Sequence, residues 1–283
     1  MLTRFAPSPT GELHLGHAYS AALAHDAARA AGGRLRIRID DIDGSRSREE
    51  FVAASLADLR WLGVDWDGDP VRQSAHLGHY AAALETLRAR GLVYPCFCTR
   101  ADIAASLAAP HGPSGAVYPG TCRHLDDAER ERRIAREPHC WRLDMARGLA
   151  FAGNLTWEEQ GRGVRAADPA AHGDVVLARK DAPASYHLAS TLDDAAMGVS
   201  HVIRGADLIA STDVHRLLQA LLGLPTPVYR HHGLVCGPDG KRLAKRDAAA
   251  SLASLRAGGV DGAALAADLV AGRLPAGYSL QMP

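Results

Sequence analysis

The sequence has no excess of charge of either sign, because its 283 residues include 32 Lys and Arg and 32 Asp and Glu. A generic binder of polyanions is usually basic overall, so contacts with nucleic acid have to come from local patches. No apolar run reaches the length of a membrane span. Charged and turn residues begin at once with Arg4, Pro7 and Pro9, unlike a signal peptide. We therefore expect a cytoplasmic protein with no membrane partner.

Cysteine is scarce, with five residues, and a chain of this length does not use so few as a disulfide scaffold. Three of them stand close together in the sequence, at Cys96, Cys98 and Cys122. Thiols are soft ligands suited to Zn²⁺, which takes four ligands in a structural site, and spacing alone nominates His124 as the fourth. Free buried thiols are the alternative. We expect Cys140 and Cys236 to be inert core residues.

Strand and helix patterns alternate along the first part of the chain. Hydrophobic residues make up 47% of the sequence, which permits a sizeable core. Residues 2–6 are typical of a strand that ends at a Pro-x-Pro turn, and a helix is expected from about Leu13. Residues 35–39 alternate with period two, and residues 48–62 return to helical spacing. This rhythm predicts a parallel α/β sheet.

Residues 95–145 interrupt the rhythm with cysteines, prolines, glycines and a charged helix, and we interpret them as an insert. The strand pattern resumes at 174–177 and at 199–203, and both strands are expected to rejoin the parallel sheet. The predicted domains are a catalytic domain over 1–225, interrupted by that insert, and a region over 226–283 with a basic loop and helical, Ala-rich segments.

The first motif is the run RFAPSPTG at 4–11, followed by HLGH at 14–17. It lies where a strand is succeeded by a helix, whose N-terminus offers free N–H groups to phosphate. His14 and His17 are three residues apart and share one helical face. Gly16 has no side chain, so an adenine ring can approach the backbone there. The motif therefore predicts an ATP site.

The second motif is the run GPDGKRLAKR at 237–246, a Gly-rich turn with four cations in six residues. Positioned cations stabilise the charge that develops on a transferring phosphorus centre and its leaving group. Basic loops are more often simply solvated. Together with the first motif, however, this loop predicts a clamp for departing pyrophosphate.

The two motifs resemble the HIGH and KMSKS elements of class I aminoacyl-tRNA synthetases. The runs RFAPSPTG at 4–11, RIDDID at 38–43 and VIRGADL at 202–208 resemble the glutamyl-tRNA synthetase group more narrowly, and the resemblance extends from Thr3 to Asp247. It implies an α/β fold: the Rossmann-like parallel-sheet catalytic core of that family, with a small zinc-bearing insert and a short helical C-terminal region.

The family's large anticodon-binding region has no counterpart in this sequence. With the cysteine insert, this resembles the glutamyl-queuosine tRNA(Asp) synthetases, a shorter paralogous group. The resemblance implies tRNA-independent activation of L-glutamate with ATP and Mg²⁺, and transfer of glutamate to queuosine in the anticodon of tRNA(Asp), by a monomer. Two alternatives are a minimal glutamyl-tRNA synthetase that charges the acceptor end and a non-catalytic paralogue that binds glutamate.

The resemblance also implies residue roles. The glutamate-binding residues are Arg4, Phe5, Ala6, Pro7, Ser8, Asp40, Tyr186 and Arg204. The ATP-binding residues are His14, Gly16, His17, Arg242 and Lys245, with His14, His17 and Lys245 as the catalytic set. Asp40 stands in place of a family Glu and is the expected partner of the substrate ammonium. Arg242 replaces a lysine, and Ala244 replaces a serine. For the metal, the resemblance nominates Tyr118 as the fourth ligand beside Cys96, Cys98 and Cys122.

Overall fold

The computed structural model describes residues 1–99, 102–103, 111–112, 115–243 and 251–282. The helices in these residues are α1 (Leu15–Ala30), α2 (Glu49–Trp61), α3 (Leu77–Ala89), α4 (Asp127–Ile134), α5 (Met145–Ala152), α6 (Tyr186–Ala196), α7 (Ile209–Leu222), α8 (Leu252–Ala257) and α9 (Gly262–Val270). The strands are β1 (Leu2–Phe5), β2 (Arg34–Ile39), β3 (Val71–Arg72), β4 (Val93–Cys96), β5 (His111–Gly112), β6 (Gly115–Ala116), β7 (Cys140–Leu143), β8 (Thr156–Glu159), β9 (Gly163–Ala166), β10 (Val176–Ala178), β11 (His201–Gly205), β12 (Val228–His232), β13 (Leu234–Cys236) and β14 (Ser279–Gln281).

Two sets of parallel strands form the main layer of the fold. One set has the order β1-β2-β3, and the other has β11-β12-β8 with β9 antiparallel at its edge. The sets meet where Ser200 N donates a hydrogen bond of 2.9 Å to Leu2 O. The predicted parallel α/β sheet is confirmed, and its strand ends converge on one edge, where α/β proteins bind ligands.

Helix α1 packs on this sheet through a face of small side chains. Ala18, Ala21 and Ala24 are completely buried, and the core beneath them includes Leu35 and Ile37 of β2. Alanine pays no side-chain entropy in a helix and lets the helix axis approach the sheet closely. The position of α1 fixes where its N-terminal turn, and thus the first motif, lies relative to the strand ends.

A separate antiparallel sheet lies at the base of the insert. Strands β4, β7 and β10 form an antiparallel sheet in the order β10-β7-β4. The expectation that the strand at 174–177 rejoins the parallel sheet is therefore wrong, whereas the strand at 199–203 does so as β11. The edge strands bury side chains on both faces: Val93 and Leu177 belong to the core with α3, α6 and α7, whereas Tyr94 and Cys96 belong to the cysteine cluster. The predicted domain boundaries at 95–145 and 225 remain predictions.

The last described segment carries short helices and then a strand. Helix α9 contacts α1 through Leu265, Ala266 and Leu269, which belong to the same core. Strand β14 then pairs antiparallel with β13, which the sequence did not indicate. Within the ranges given above, none of the helices combines the length and the apolar character that crossing a bilayer requires.

Candidate active site

A cavity of about 410 Å³ opens at the ends of β1, β2 and β11 and at the N-terminus of α1. Its lining contains every predicted glutamate- or ATP-binding residue that the structure describes: Arg4, Phe5, Ala6, Pro7, Ser8, His14, Gly16, His17, Asp40, Tyr186, Arg204 and Arg242. Lys245 and Ala244 lie outside the described residues. The fold brings together predicted residues that are up to 238 positions apart in the sequence, from Arg4 to Arg242.

The two histidines of the first motif cap helix α1. His14 is the N-cap, and its Nδ1 accepts a hydrogen bond from Gly16 N at 3.2 Å. His14 N in turn donates to His17 Nδ1 at 3.1 Å. Because both Nδ1 atoms are acceptors, a neutral ring carries its proton on Nε2. A Cβ added at Gly16 would lie 3.1 Å from His14 Cε1, so the absence of a side chain there lets the ring fold over the turn.

A buried network of charges forms the floor of the cavity. Asp194 Oδ1 accepts hydrogen bonds from Arg4 Nε at 2.8 Å and from Arg38 Nη1 at 2.7 Å. Arg38 Nε also donates to Asp40 Oδ1 at 2.6 Å, and Arg38 Nη2 donates to Ser190 Oγ at 3.0 Å. Arg38 is only 1% exposed, so its charge depends on these partners.

The network sets the protonation of its acids. Burial opposes ionisation of Asp194, but Arg4 and Arg38 outweigh it and lower the pKa of this carboxyl. Burial raises the pKa of Asp40, although Arg38 opposes the shift. The Asp40 carboxylate lines the cavity and is already ion-paired with Arg38. Its role as the partner of a substrate ammonium therefore stays a prediction, now with Arg38 as a competitor for the same oxygens.

Asp193 provides a second buried anchor behind the network. Its Oδ2 accepts hydrogen bonds of 2.8 Å from Gln73 Nε2 and from Tyr80 Oη, and its Oδ1 lies 2.9 Å from His76 Nδ1. The sequence reasoning did not identify Asp193, Asp194 or the role of Arg38. The sequence does contain one signal, a pair of adjacent acids within the apolar helix α6. Acids buried in such a helix require partners, so the pair indicates a buried network of charges.

Arg204 lies at the opposite wall and has a different environment. It is 5% exposed, and its guanidinium donates to Thr212 Oγ1 at 2.8 Å and to Leu208 O and Tyr186 Oη at 3.1 Å. Longer contacts join Arg204 Nε to His231 Nε2 at 3.3 Å and Nη1 to His215 Nδ1 at 3.4 Å.

Both histidines beside Arg204 are held neutral. Burial lowers the pKa of His231 to about 4, with a further contribution from Arg204. Burial also places the pKa of His215 well below its usual range, and Arg204 acts in the same direction. Among the residues described, no carboxylate oxygen lies within 4.0 Å of the Arg204 guanidinium. The cavity wall therefore presents a desolvated cation that lacks a direct anionic partner.

The basic loop is anchored to the cavity on both sides of the undescribed stretch. Arg242 forms an ion pair of 2.6 Å with Asp207, and Arg242 and Leu243 line the cavity. On the far side, Ser251 forms a β-bridge with His14. The two sequence motifs are therefore joined at the mouth of one cavity.

The cysteine cluster lies in the insert. The Sγ atoms of Cys96, Cys98 and Cys122 lie within 4.8 Å of one another, and those of Cys98 and Cys122 are 3.6 Å apart. Four sulfurs around a tetrahedral zinc at about 2.3 Å would be about 3.8 Å apart. Hydrogen bonds from Cys122 and Cys140 lower the pKa of Cys96, whereas the contact with Cys96 raises the pKa of Cys122. A bound cation would favour the thiolate at each of the three. The donor set fits Zn²⁺.

The candidates for a fourth ligand have different positions. Tyr118 Oη lies 3.6 Å from Cys98 Sγ and accepts a hydrogen bond from Cys122 N at 2.8 Å. His124 is exposed. Cys140, expected to be inert, faces Cys96 across the β4–β7 pair. Spacing did not reveal it because the two cysteines meet only through strand pairing.

A second cavity, of about 910 Å³, lies between the cysteine cluster and the first cavity. Cys98 and Tyr118 line it on the metal side, and Lys180 and Arg179 line it on another. Tyr186 lines both cavities. Tyr186 therefore connects the second cavity, beside the cysteine cluster, with the first cavity.

Known proteins are similar to nearly the whole chain. The family model described as "tRNA synthetases class I (E and Q), catalytic domain" matches residues 1–270. A glutamyl-Q tRNA(Asp) synthetase from Rhodobacter capsulatus is 51% identical over 92% of this chain and 96% of the relative. One from Symbiobacterium thermophilum is 45% identical over 90% of this chain and 81% of the relative.

A solved structure has the same fold. The crystal structure of a glutamate tRNA ligase from Elizabethkingia meningosepticum in complex with its amino acid matches with a TM-score of 0.73 and 27% identity. The match covers 88% of this chain and 52% of that one, so this chain spans about half the length of the solved structure.

Proposed function

We propose that this chain, which belongs to the catalytic-domain family of class I glutamyl- and glutaminyl-tRNA synthetases, activates L-glutamate with ATP and transfers it to the queuosine base of tRNA(Asp). The observation that carries the proposal is the single cavity lined by all the described residues of both predicted substrate sets. The relatives named glutamyl-Q tRNA(Asp) synthetase, with similarity along most of their length, support the choice of acceptor.

Glutamate would bind between the two charged walls of the cavity. Arg204 offers a desolvated cation with no carboxylate beside it, which suits a carboxylate of the substrate. Arg4 is already paired with Asp194, so it contributes a fixed positive field more than a free partner. The Asp40 carboxylate, at the same wall, would accept the substrate ammonium once that cation displaces part of the Arg38 contact.

Activation needs positioning and fixed charge and no protein nucleophile. An oxygen of the glutamate α-carboxylate attacks the α-phosphorus of ATP, and the bond to the bridging oxygen of pyrophosphate breaks. The Nε2–H groups of His14 and His17 would donate to phosphate oxygens, and Arg242 and Lys245 would stabilise the leaving pyrophosphate. Mg²⁺ bound with ATP would supply further positive charge to the phosphates.

Transfer is the second half of the reaction. A hydroxyl oxygen of queuosine attacks the carbonyl carbon of the adenylate, the bond between that carbon and the AMP oxygen breaks, and the hydroxyl proton is released. The structural zinc, held by Cys96, Cys98, Cys122 and Tyr118, would order the insert that borders this site. A monomeric state and a cytoplasmic location complete the proposal.

The test is glutamate-dependent exchange of pyrophosphate into ATP, measured with and without tRNA. We expect exchange with glutamate alone. Exchange that requires tRNA would favour charging of the acceptor end, as in the 42% identical "glutamate--tRNA ligase 2" of Acidithiobacillus ferrooxidans. Absence of exchange from folded protein under both conditions would favour a paralogue that only binds glutamate.

A pair of lysine variants tests the role of the basic loop. Lys245→Ala is expected to reduce the exchange rate by about 10²–10³-fold and to leave glutamate affinity nearly unchanged, because the lysine acts on the departing charge. Lys241→Ala is the comparison within the same loop: its side chain is 83% exposed and pairs only loosely with Asp239, so we expect a smaller loss of rate. Equal losses of rate and glutamate affinity in Lys245→Ala would contradict this role.

A further inference from the structure

Arg204 is held by neutral acceptors. A buried arginine is usually compensated by a carboxylate, because an unpaired buried charge is costly. Here the described acceptors are a hydroxyl, a phenol, a backbone carbonyl and two imidazoles. Asp194 acts on Arg204 only through space. An arrangement of this kind keeps the guanidinium in place without neutralising it.

The acceptor role of His231 depends on Glu159. Glu159 is 2% exposed, and its Oε1 accepts a hydrogen bond of 2.8 Å from His231 N. Its Oε2 lies 2.8 Å from His231 Nδ1. A carboxylate only accepts hydrogen bonds, so the ring proton of the neutral histidine lies on Nδ1. His231 Nε2 then carries a lone pair, which is the state in which it can accept a hydrogen bond from Arg204 Nε.

His215 completes the arrangement from helix α7. Its Nδ1 faces Arg204 Nη1, which can only donate, so its proton lies on Nε2. That Nε2 is buried and has no hydrogen-bond partner among the described residues. The fold therefore tolerates an unsatisfied donor, at a cost of about 1–3 kcal/mol, in order to keep an acceptor facing Arg204.

We propose that Glu159, His231 and His215 are positioning residues that hold Arg204 as an uncompensated cation and thereby select a ligand carboxylate over the uncharged amide of glutamine. Glu159 acts through His231, and neither is in the lining of the cavity. The inference rests on the proposed function in one respect: glutamate is taken as the anionic ligand.

Two variants at His231 distinguish the loss of a hydrogen-bond acceptor from the loss of side-chain volume. In His231→Gln the amide oxygen can occupy the place of Nε2, whereas His231→Leu fills space without an acceptor. We expect His231→Leu to weaken glutamate binding by about 10–100-fold, the range for a lost hydrogen bond to a charged group. His231→Gln should remain within about threefold of the unsubstituted protein, and the KM for ATP should change less than twofold in both.

Glu159→Gln tests the tautomer itself. The glutamine oxygen would be retained by His231 N, so its NH₂ group would face His231 Nδ1 and move the ring proton to Nε2. Nε2–H would then oppose Arg204 Nε. We expect weaker glutamate binding, by at least tenfold, and a reduced preference for glutamate over glutamine. If this variant does not fold, the pair His215→Asn and His215→Leu provides the same comparison, because the Asn oxygen can replace Nδ1.

The measurements are glutamate and glutamine titration calorimetry, the exchange assay, and ¹⁵N chemical shifts of the histidine rings. Equal binding of glutamate by His231→Leu and the unsubstituted protein would overturn the inference, as would parallel losses for glutamate and ATP. The ring shifts are independent of activity: a proton on His231 Nε2 in the unsubstituted protein would also overturn it. If the proposed function is wrong but this arrangement is right, the protein would show no exchange and His231 would still carry its proton on Nδ1.

Discussion

For Asp194→Asn the structure gives the clearest expected change in the free energy of unfolding. One oxygen of this buried carboxylate accepts from both Arg4 and Arg38, at 2.8 and 2.7 Å. Asparagine keeps the shape and an acceptor but removes the negative charge. Arg38 would then keep Asp40 at 2.6 Å and Asp193 at 3.9 Å, whereas Arg4 would lose the carboxylate with which it pairs. Breaking a buried ion pair by removing one member costs about 3–5 kcal/mol, so the free energy of unfolding should fall by about that amount at pH 7.

The pH dependence gives the same prediction a second, independent check. The pKa of Asp194 is lowered in the folded state. A group of this kind stabilises the fold fully above its unfolded pKa of about 3.9, and the contribution is lost as pH falls through the lower folded value. The difference between the unsubstituted protein and Asp194→Asn should therefore be constant from pH 7 to about pH 5 and should shrink below about pH 4.

Urea unfolding followed by circular dichroism is the assay, because domains of this kind have about 5–15 kcal/mol of stability and the variant should still fold. The matched control is Asp65→Asn, which also removes an acid paired with an arginine, Arg29, but at a site where the acid is 75% exposed. Its cost should be below about 1 kcal/mol. If the two variants lose the same stability, burial of the Asp194 network is not the source of its strength.

Two further predictions concern stability and metal content. Burial raises the pKa of Asp58 to about 6 despite the ion pair with Arg256. Ionisation of Asp58 therefore destabilises the fold increasingly as pH rises from about 4 to 6. Asp58→Asn should raise the thermal midpoint at pH 7 by the equivalent of about 1–2 kcal/mol and give no gain at pH 4. Elemental analysis should detect zinc in the unsubstituted protein and in Cys236→Ser, in β13, but not in Cys122→Ser. Zinc in Cys122→Ser would contradict the ligand assignment.

The parallel core was predictable because its signals are local. Strands β1 and β2 and helices α1 and α2 each have a period that a short window reveals, and the predicted bounds agree with the structure within a few residues. The first motif was equally local, since one turn of α1 contains His14, Gly16 and His17. The direction of β10 was not predictable, because a strand has the same pattern whether its neighbour runs parallel or antiparallel.

The charged network at the floor of the cavity could not be predicted from the spacing of residues in the sequence. Arg38 and Asp194 are 156 positions apart and become partners only after β2 and α6 have packed together. The sequence indicated that Asp40 is important, but not that a neighbouring arginine already holds it. Glu159 gave no signal at all, because its effect on the site passes through a histidine 72 positions away.

The short connection from β10 to α6 joins the insert to the glutamate pocket. Ser185 N donates to Leu177 O at 2.7 Å, and the next residue, Tyr186, contacts Arg204. We expect a metal bound by the cysteines to restrict Tyr186 through this connection. We therefore expect zinc and glutamate to behave as heterotropic effectors of each other, with one coupling factor that is the same in both directions. Removal of zinc by a chelator would then lower the affinity for glutamate although no residue of the first cavity is altered. Saturating glutamate would in turn slow the release of zinc.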